Sequence, residues 1–533
     1  PAGTWRVHDF LGPKGQQVSD ASVRLHIRRR IADSRQVLTV TLINKAQPTE
    51  DRLRDEFCLF QSGLKVKAVT PDGQGAIRPR PAPVFAGADE DAQSAALLYR
   101  DVLEYAVGHG IAAVWEPSPE RRVARLETAW MPTSPVKGTS TSGHPSLVAF
   151  LTARPQALSA EWLARAEARD EVLEILGGFA DVYDAWIRAE LMPRTDSFKG
   201  ELGTAARRNL ERCGDALRRI RAGISMLARE DSAWTAFALA NAAMDRQSRF
   251  GAKGDRAGPL TWRPFQLAYI LMVLPGLVDP ADPDRDDVDL LWFPTGGGKT
   301  EAYLGLTAFQ ILHRRLTDVE RRDDGGVDVL MRYTLRLLTV QQFQRAASLI
   351  CACDAIRSER GDLGKSPISL GLYVGGDATP NRTTAAIEAL SLEHDGQQPK
   401  STPRQLLDCP VCGSSLNAGC YKTTSQGAGI DIRCANTSCE TAGEPLPVLT
   451  VDDFIYEAPT SLLIGTIDKF AQLPWQGPLH LLFGRVRRRC TRHGYRSTDL
   501  DKWVGWDEAD KHNANTKRGL PPAQTVLSLP LRD

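Results

Sequence analysis

The sequence predicts a multidomain α/β fold in which a β-rich N-terminal region and a helical block precede a lobe built on a parallel sheet. Apolar residues alternate with period two before about residue 80 and recur at helical spacing between residues 159 and 247. Beyond residue 256 strand-like and helix-like runs alternate, which is typical of a parallel sheet. A cysteine-rich stretch interrupts these last runs and predicts a small inserted domain.

The composition excludes several classes of protein. The 533 residues include 66 Lys plus Arg against 65 Asp plus Glu, and 42% of them are apolar. At roughly 150 residues per domain, this length predicts about three to four domains. The near-neutral charge argues against a wholly basic nucleic-acid wrapper and against a disordered acidic protein. No run reaches 18 apolar residues without charge, so we expect no membrane span.

The cysteines and the first residues bear on location. Five of the ten cysteines fall within 31 residues, a pattern that suits metal binding in a reducing compartment better than a disulfide framework. The sequence begins at Pro1 without the basic and apolar regions of a secretory signal. We therefore expect a cytoplasmic protein whose natural N-terminus lies upstream of Pro1.

Residues 1–95 are predicted to form a β-rich accessory domain. Period-two alternation predicts an antiparallel sheet from strands at Ser22–Ile31, Gln36–Asn44 and Cys58–Val69. An acidic, Ala-rich stretch then separates this sheet from a helix predicted at Ala96–Tyr105.

Residues 96–255 are predicted to form a helical accessory domain. Apolar spacing from Ser159 to Gln247 predicts three long helices packed together. The Gly-, Asp- and Pro-rich segment Gly251–Pro259 predicts the boundary before an α/β lobe at 256–533. In that lobe we expect these strands and helices in order: strand Asp289–Phe293, helix Glu301–Arg315, strand Val327–Tyr333, helix Val340–Arg357, strand Ile368–Val374 and strand Ser461–Ile464.

Residues 289–303 read DLLWFPTGGGKTEAY and predict a phosphate-binding loop between strand and helix. A glycine-rich turn lets backbone N–H groups surround a β-phosphate without Cβ clashes. Lys299 would reach the β- and γ-phosphates, and Thr300 would ligate Mg²⁺. The alternative is a glycine-rich surface turn. The predicted ATP–Mg²⁺ contacts of the loop are Pro294, Thr295, Gly296, Gly297, Gly298, Lys299, Thr300 and Glu301.

The first glycine of the general GxxxxGK[ST] pattern is absent, because Phe293 stands there. The compact PTGGGKT form resembles the loop of superfamily 2 helicases, whose motor lobes have the RecA-like fold. Upstream, Phe265 and Gln266 match the Q motif of those enzymes, with Gln266 standing 33 residues before Lys299. A Gln amide can accept from the exocyclic amine of adenine and donate to its ring nitrogen. The alternative is an ordinary Gln at a helix start.

Further strings match, in order, the superfamily 2 motifs that hold nucleic acid. After the second predicted strand comes RYTLRLLTVQQF, then a paired glycine, then LIGTIDKF. Each is also compatible with a plain turn or a helix cap, but their order behind the loop favours a grip on a phosphodiester backbone. The predicted nucleic-acid contacts are Arg336, Thr339, Gln341, Gly375, Gly376, Thr466 and Lys469.

The combined strings WRPFQLAYIL, LLWFPTGGGKTEAYLGL, RYTLRLLTVQQFQRA and LIGTIDKFA resemble the DrmA family, the helicase subunits of the DISARM anti-phage system. The resemblance covers roughly residues 95–480. It implies an ATP-dependent DNA helicase or translocase in bacterial defence, acting on DNA that is single-stranded or has a single-stranded end. It also implies a DUF1998-type partner subunit, DrmB.

Asp507-Glu508-Ala509-Asp510 spells a DEAD-like string, but the residues before it are poor material for a buried strand. We expect that it is not the Mg²⁺-binding motif II. In the resembled family that motif follows a segment similar to Pro521–Asp533, so we expect the chain to end before motif II and before a second motor lobe. This chain alone would then not complete ATP hydrolysis.

Cys409, Cys412, Cys434 and Cys439 predict a Zn²⁺ ribbon inserted at 401–446, because two short knuckles each present a pair of thiolates. Cys420 is a possible substitute ligand, since the second knuckle is two residues longer than the common form. Cys490 with His493 is a weaker candidate site. The basic run from Arg485 to Arg492 is a possible nucleic-acid contact or simply a solvated face.

Three alternatives stay open at this point. The chain could be a P-loop ATPase that never touches nucleic acid, a zinc-ribbon adaptor with no unwinding activity, or a helicase directed at RNA. The strings at 332–343 and 463–470 weigh against the first, and an intact Lys299 and Thr300 weigh against the second.

Overall fold

A computed structural model gives the architecture of most of the chain. The residues that the structure describes are 3–6, 23–32, 35–51, 53–80, 89–116, 121–133, 140–251, 258–294, 296–319, 322, 326–334, 340–424, 429–483, 488–490, 494–497 and 525–528. The chain divides into two compact units, one formed by 1–138 with 195–209 and the other by 139–194 with 210–533. The sequence-based domain boundaries stay predictions.

The first unit contains two three-stranded antiparallel sheets and a helix. Its elements are β1 (Gly3–Arg6), β2 (Val23–Ala32), β3 (Arg35–Asn44), β4 (Lys65–Lys67), α1 (Glu90–Leu98), β5 (Ala112–Trp115) and β6 (Arg125–Ala129). The strand orders are β1-β2-β3 and β4-β6-β5. Strands β2 and β3 confirm two of the predicted strands. The β-rich character is therefore confirmed, although the strands form two sheets where we expected one.

Two expectations for this unit were wrong. Only Lys65–Lys67 of the predicted strand Cys58–Val69 is a strand. The helix predicted at Ala96–Tyr105 lies earlier, at Glu90–Leu98, because the carboxylate of Asp89 accepts the Ala92 N–H and caps its start. The acidic residues that we expected to separate two elements thus form the first turn of the helix, where negative charge is favourable.

The second unit begins with a helical block. Its helices are α2 (Pro145–Ala153), α3 (Ala160–Leu163), α4 (Arg169–Trp186), α5 (Met192–Asp196), α6 (Gly200–Arg229) and α7 (Asp231–Arg249), with α5 and the start of α6 shared with residues of the first unit. A π-helical turn, Ile187–Leu191, joins α4 to α5. Helices α4, α6 and α7 are the three long helices that the spacing predicted.

The rest of this unit is an α/β region with a four-stranded parallel sheet. Its elements are α8 (Pro264–Val278), α9 (Lys299–Thr317), β7 (Val329–Tyr333), α10 (Val340–Glu359), β8 (Leu370–Tyr373), α11 (Thr383–His394), β9 (Tyr421–Thr423), β10 (Ile430–Ile432), β11 (Val448–Leu449), α12 (Asp452–Glu457), β12 (Leu462–Thr466), α13 (Ile467–Ala471) and α14 (Leu479–Leu482). The sheet order is β11-β8-β12-β7, and all neighbours are parallel. Strands β9 and β10 form a separate antiparallel ribbon.

One hydrophobic core joins the helical block to the sheet. Leu227 and Phe237 of the block, Trp262 and Phe309 of the α/β region, and Ile464 of β12 belong to the same buried cluster. Trp262 donates its indole N–H to Asn241 Oδ1 at 2.8 Å, which satisfies the polar atom of a side chain only 2% exposed. The helical block and the α/β region therefore pack together over one buried cluster.

The strand predicted at Asp289–Phe293 is not formed, which corrects the sequence analysis. Among the described residues no ladder pairs with this segment, and two of its apolar side chains, Leu290 and Trp292, are 82% and 84% exposed. The segment does contain a run of four apolar residues, but a strand also needs a neighbour that supplies hydrogen bonds.

Three more short strands lie near the C-terminus: β13 (Arg488–Cys490), β14 (Gly494–Arg496) and β15 (Thr525–Ser528), in the order β14-β13-β15. His493 and the string Asp507–Asp510 lie outside the described residues, as do the side chains of Cys490 and of the basic run. In the part of the chain that the structure describes, no helix has the length and apolarity needed to cross a membrane.

Candidate nucleotide-binding loop and cysteine cluster

Glycine is required for different reasons at three successive positions of the loop. Gly296 and Gly298 have φ angles of +79° and +86°, a region that other residues rarely adopt. At Gly297 a Cβ atom would lie 2.2 Å from the Phe293 ring. The Gly297 N–H donates to Pro294 O at 3.0 Å, which closes the turn directly before α9.

Helix α9 begins at Lys299, so the free backbone N–H groups of its first turn lie at the loop. The Lys299 ammonium donates to two loop carbonyl oxygens, Phe293 O at 2.6 Å and Pro294 O at 3.2 Å. A cation and unpaired N–H groups at one helix start form an environment that favours a bound anion. Thr300 is half-buried in the same turn, Pro294 is exposed, and Thr295 lies outside the described residues.

The start of α8 holds the loop in place. Gln266 is 3% exposed, its Oε1 accepts the Arg263 N–H at 2.7 Å, and its Nε2 donates to Gly298 O at 2.6 Å. Arg263 Nη1 donates to Gly297 O at 2.9 Å. Phe265 stacks on Phe293 with ring centroids 3.8 Å apart. Both predicted Q-motif residues therefore contact the loop or the residue before it, and their predicted role in reading adenine stays a prediction.

An ion-pair network anchors the chain that enters the loop. Arg219 of α6 binds Asp289 through two hydrogen bonds of 2.5 and 2.8 Å, and the two side chains are 14% and 17% exposed. These bonds raise the pKa of the Arg219 guanidinium above its ordinary value. Arg218 binds Asp284 at 3.0 and 3.1 Å in the same way. Helix α6 approaches α8 closely, because a Cβ at Gly223 would lie 1.9 Å from Leu271 O.

Glu301, in the first turn of α9, pairs with Arg345 of α10 through its Oε1 atom. Its second oxygen, Oε2, is buried and has no hydrogen-bond partner among the described residues. A Cβ at Gly298 would lie 3.1 Å from this oxygen and 2.7 Å from Gln266 Nε2. The carboxylate thus lies against the loop.

The predicted nucleic-acid contacts lie in two kinds of environment. Strands β7, β8 and β12 are parallel, so their carboxyl ends share one edge of the sheet. Gly375 and Gly376 follow β8 and are exposed, and Gln341 is exposed in the first turn of α10. Thr466 and Lys469 at the end of β12 are buried, at 3% and 8% exposure. Arg336 and Thr339 lie outside the residues that the structure describes.

Lys469 is engaged inside the protein. Its ammonium lies 2.7 Å from Asp452 Oδ2, donates to Asn381 Oδ1 at 3.2 Å, and sits 4.8 Å from the centre of the Tyr373 ring. Burial raises the pKa of Asp452 to about 6, although the charge of Lys469 acts in the opposite direction. The ammonium group of Lys469 therefore faces a buried carboxyl group rather than solvent.

The four predicted zinc cysteines converge. The Sγ atoms of Cys409, Cys412, Cys434 and Cys439 all lie within 4.8 Å of one another. Two pairs lie at 3.8 Å (Cys409 and Cys439) and 3.6 Å (Cys412 and Cys434). Four sulfurs at Zn–S distances of about 2.3 Å in a tetrahedron would be about 3.8 Å apart, so the donor set fits Zn²⁺.

Three of the four clustered thiols have shifted pKa values. Burial opposes ionisation of Cys412, but hydrogen bonds with Ser414 and with the neighbouring thiols lower the pKa of Cys412 to about 6. Burial raises the pKa values of Cys409 and Cys434. The metal ligand is the thiolate, so a bound metal has to ionise these two thiols. Cys420, the possible substitute ligand, instead points to Asn417 Oδ1 at 3.7 Å and lies outside the cluster.

The knuckles pack on the helices beside the loop. Ser348 Oγ of α10 donates to Pro410 O at 2.9 Å, and Gly251 N donates to Val411 O at 2.9 Å.

The sequence analysis missed several residues that contact the loop, the segment before it or Lys469: Arg219, Arg263, Asn381, Arg345 and Asp452. Each acts through a partner distant in sequence, so no local pattern marks it.

The fold and the site define an α/β protein with a parallel sheet, a glycine-rich loop at a helix start and a four-cysteine cluster. No protein-family model matches the chain. The chain is, however, 37% identical over 423 residues to the DISARM protein DrmA of Bacillus paralicheniformis. The chain is DrmA-like, which confirms the resemblance found in the sequence. The match covers 75% of this chain and 37% of that protein, so the chain spans well under half of its relative's length.

Proposed function

We propose that this chain is the nucleotide-binding part of an ATP-dependent superfamily 2 DNA helicase or translocase that acts in bacterial anti-phage defence. One observation carries the proposal: the loop at Gly296–Gly298 has glycine where backbone or space demands it and places Lys299 at a helix start. The defence role follows from the similarity to the DISARM protein DrmA.

In this proposal the loop N–H groups cradle the phosphates of ATP, and Lys299 exchanges its carbonyl partners for phosphate oxygens. Thr300 supplies a hydroxyl ligand to Mg²⁺, the ion that neutralises developing charge on the phosphates. Arg263 and Gln266 hold the loop open by occupying its carbonyls.

The cysteine cluster holds Zn²⁺ in this proposal and fixes the insert against α7 and α10. Its role is structural, because four thiolates leave no open position on a tetrahedral ion. The α/β region is then a RecA-like lobe with a zinc ribbon inserted between β8 and β11.

Exposed Gly375, Gly376 and Gln341 provide contacts for the DNA backbone, with Arg336 and Thr339 beside them in sequence. Thr466 and Lys469, the other predicted contacts, are buried at the end of β12. A DrmB-type subunit and a cytoplasmic location complete the proposal.

A second candidate is a P-loop ATPase that does not grip nucleic acid. The burial of Thr466 and Lys469 favours it, since neither side chain is available to a phosphate in this conformation.

The test is the ATPase rate of the full-length protein with and without single-stranded DNA. Stimulation by DNA that is lost in Lys299→Ala supports the motor. ATP hydrolysis that is equally fast without DNA favours the second candidate, and no hydrolysis in either condition contradicts both.

A further inference from the structure

Strand β2 is the central strand of the sheet β1-β2-β3, and its arginines divide between the two faces of that sheet. Successive side chains of a strand point to opposite faces, so every second residue shares a face. Four polar residues of β2 lie together in this way: Arg24, His26, Arg28 and Arg30. Arg29 lies on the opposite face. We call Arg24, Arg28 and Arg30 the arginine row.

The pairing of β2 with β3 shows what lies beside the arginine row. Arg28 stands opposite Thr39 and His26 stands opposite Thr41, and both threonines are exposed. The other face of the two strands carries half-buried apolar residues: Leu25, Ile27, Val40 and Leu42. One face is therefore partly covered, whereas the other presents guanidinium and hydroxyl groups to solvent.

The arginine row has an excess of positive charge around it. Residues 21–49 contain six Arg plus Lys and one acidic residue, Asp33, although the whole chain is nearly neutral, at 66 to 65. Within the described ranges, the arginine row forms no ion pair and no side-chain hydrogen bond. Arg219 and Arg221 of α6, by contrast, pair with aspartates. The charge of the row is thus available to a negatively charged ligand.

We infer that this face of the β1-β2-β3 sheet binds the phosphate backbone of single-stranded DNA. Guanidinium groups are strong donors to phosphate, and threonine hydroxyl groups also donate to phosphate oxygens. Alternate residues of a strand lie about 6.8 Å apart, so the row repeats its charge along one line. One line of charge fits a single backbone better than the two backbones of a duplex.

The surface belongs to the first unit of the chain, whereas the glycine-rich loop belongs to the second. The choice of DNA as the ligand rests on the proposed function, but the surface itself does not depend on nucleotide binding. Strands β2 and β3 contain no Phe, Tyr or Trp on which a base could stack. Because phosphate contacts carry no sequence information, binding at this surface is independent of DNA sequence.

The experiment is fluorescence anisotropy on the full chain without nucleotide, with a labelled oligothymidylate at several salt concentrations. Arg28→Gln weakens binding about fivefold, the effect of one exposed ion pair. The slope of log affinity against log salt concentration becomes shallower by about 0.7, and the double variant Arg28→Gln with Arg30→Gln doubles that change. Arg29→Gln is the matched control, since it removes the same charge from the opposite face, and its affinity stays within about twofold of the wild type.

All three variants keep the urea midpoint of the wild-type chain, because these side chains are exposed. A mixed-sequence single strand, a blunt duplex and an oligouridylate of the same length are the other ligands. The mixed-sequence strand loses affinity in parallel with the oligothymidylate.

Equal losses in Arg28→Gln and Arg29→Gln, or no loss in the double variant, overturn the inference and leave the proposed function standing. A loss seen only with the duplex, or only with the oligouridylate, overturns the assignment to single-stranded DNA. A wild-type chain that does not bind the oligothymidylate overturns this inference and the proposed DNA substrate together. Binding that depends on Arg28 in a protein whose ATPase rate ignores DNA supports the surface and contradicts the motor.

Discussion

At the residue scale, each glycine of the loop is needed because a side chain at its position would cause backbone strain or a steric clash. Gly296 and Gly298 are fixed by backbone angle, whereas Gly297 is fixed by the Phe293 ring beneath it. The same loop is held from outside, since Arg263 and Gln266 occupy two successive carbonyls. Gln266, which the sequence marks as a nucleotide contact, thus also shapes the backbone of the loop.

Gly298→Ala tests this requirement. An alanine at φ +86° costs roughly 1–2 kcal/mol of backbone strain. Its Cβ would also lie 2.7 Å from Gln266 Nε2, which is too close, so the amide would have to move. We expect a lower free energy of unfolding in urea and a loss of tripolyphosphate binding. Gly177→Ala is the control: it lies within α4 with nothing near its Cβ position, so it should stabilise the protein by about 0.5–1 kcal/mol. Unchanged binding in Gly298→Ala would contradict the assignment.

The cysteines give a second prediction at this scale. The wild-type chain should contain about one zinc ion, and Cys434→Ser should lose it and unfold more easily, because bound metal contributes to folding. Cys420→Ser, in the same insert but outside the cluster, should keep its zinc. Elemental analysis after dialysis distinguishes these results. Zinc near zero in the wild-type chain would refute the site.

At the element scale, the segment that enters the loop is held by side chains. Asp289–Phe293 has no β-ladder among the described residues, and α6 supplies Arg219 to Asp289 instead. The position of α6 is in turn fixed by the close approach at Gly223 to α8. The helical block therefore contributes to the geometry of the candidate site.

Arg219→Met should lower the free energy of unfolding by about 2 kcal/mol, between the values for exposed and fully buried ion pairs, since Asp289 is left without its partner. We also expect weaker tripolyphosphate binding. Arg360→Met removes a similar two-bond Arg–Asp pair that is more exposed, at 38% and 44%, and should cost under about 1 kcal/mol with no effect on binding. Equal effects of the two variants would refute a special role for Arg219.

The carboxyl edge of the sheet gives a second prediction at this scale. Asp452→Asn removes the carboxylate that faces Lys469, so we expect tighter binding of single-stranded DNA. The slope of log affinity against log salt concentration should become steeper by about one. The double variant Asp452→Asn with Lys469→Met should lose this gain. Fluorescence anisotropy at several salt concentrations measures both. A gain that persists in the double variant would show that Lys469 does not contact the DNA.

At the scale of the whole molecule, much of the parallel sheet could be predicted because its information is local. Continuous apolar runs mark β8 and β12, and the PTGGGKT string marks the start of α9. The cysteine pairs are likewise recognisable by their spacing.

What could not be predicted depends on contacts between distant residues. The Arg219–Asp289 pair joins positions 70 residues apart, and the missing ladder at Asp289–Phe293 reflects the lack of a partner strand among the described residues. The burial of Lys469 likewise depends on Asp452 and Asn381. Local patterns carry no information about such partners.

The central claim, that the loop before α9 binds a nucleoside triphosphate, is tested most directly by the dissociation constant of Mg²⁺–ATP for the wild-type chain and for Lys299→Ala. Hydrogen bonds to charged groups contribute about 1.5–3 kcal/mol, so we predict that the variant binds at least tenfold more weakly. Equal affinity of the two proteins, or no binding by either, would contradict the account.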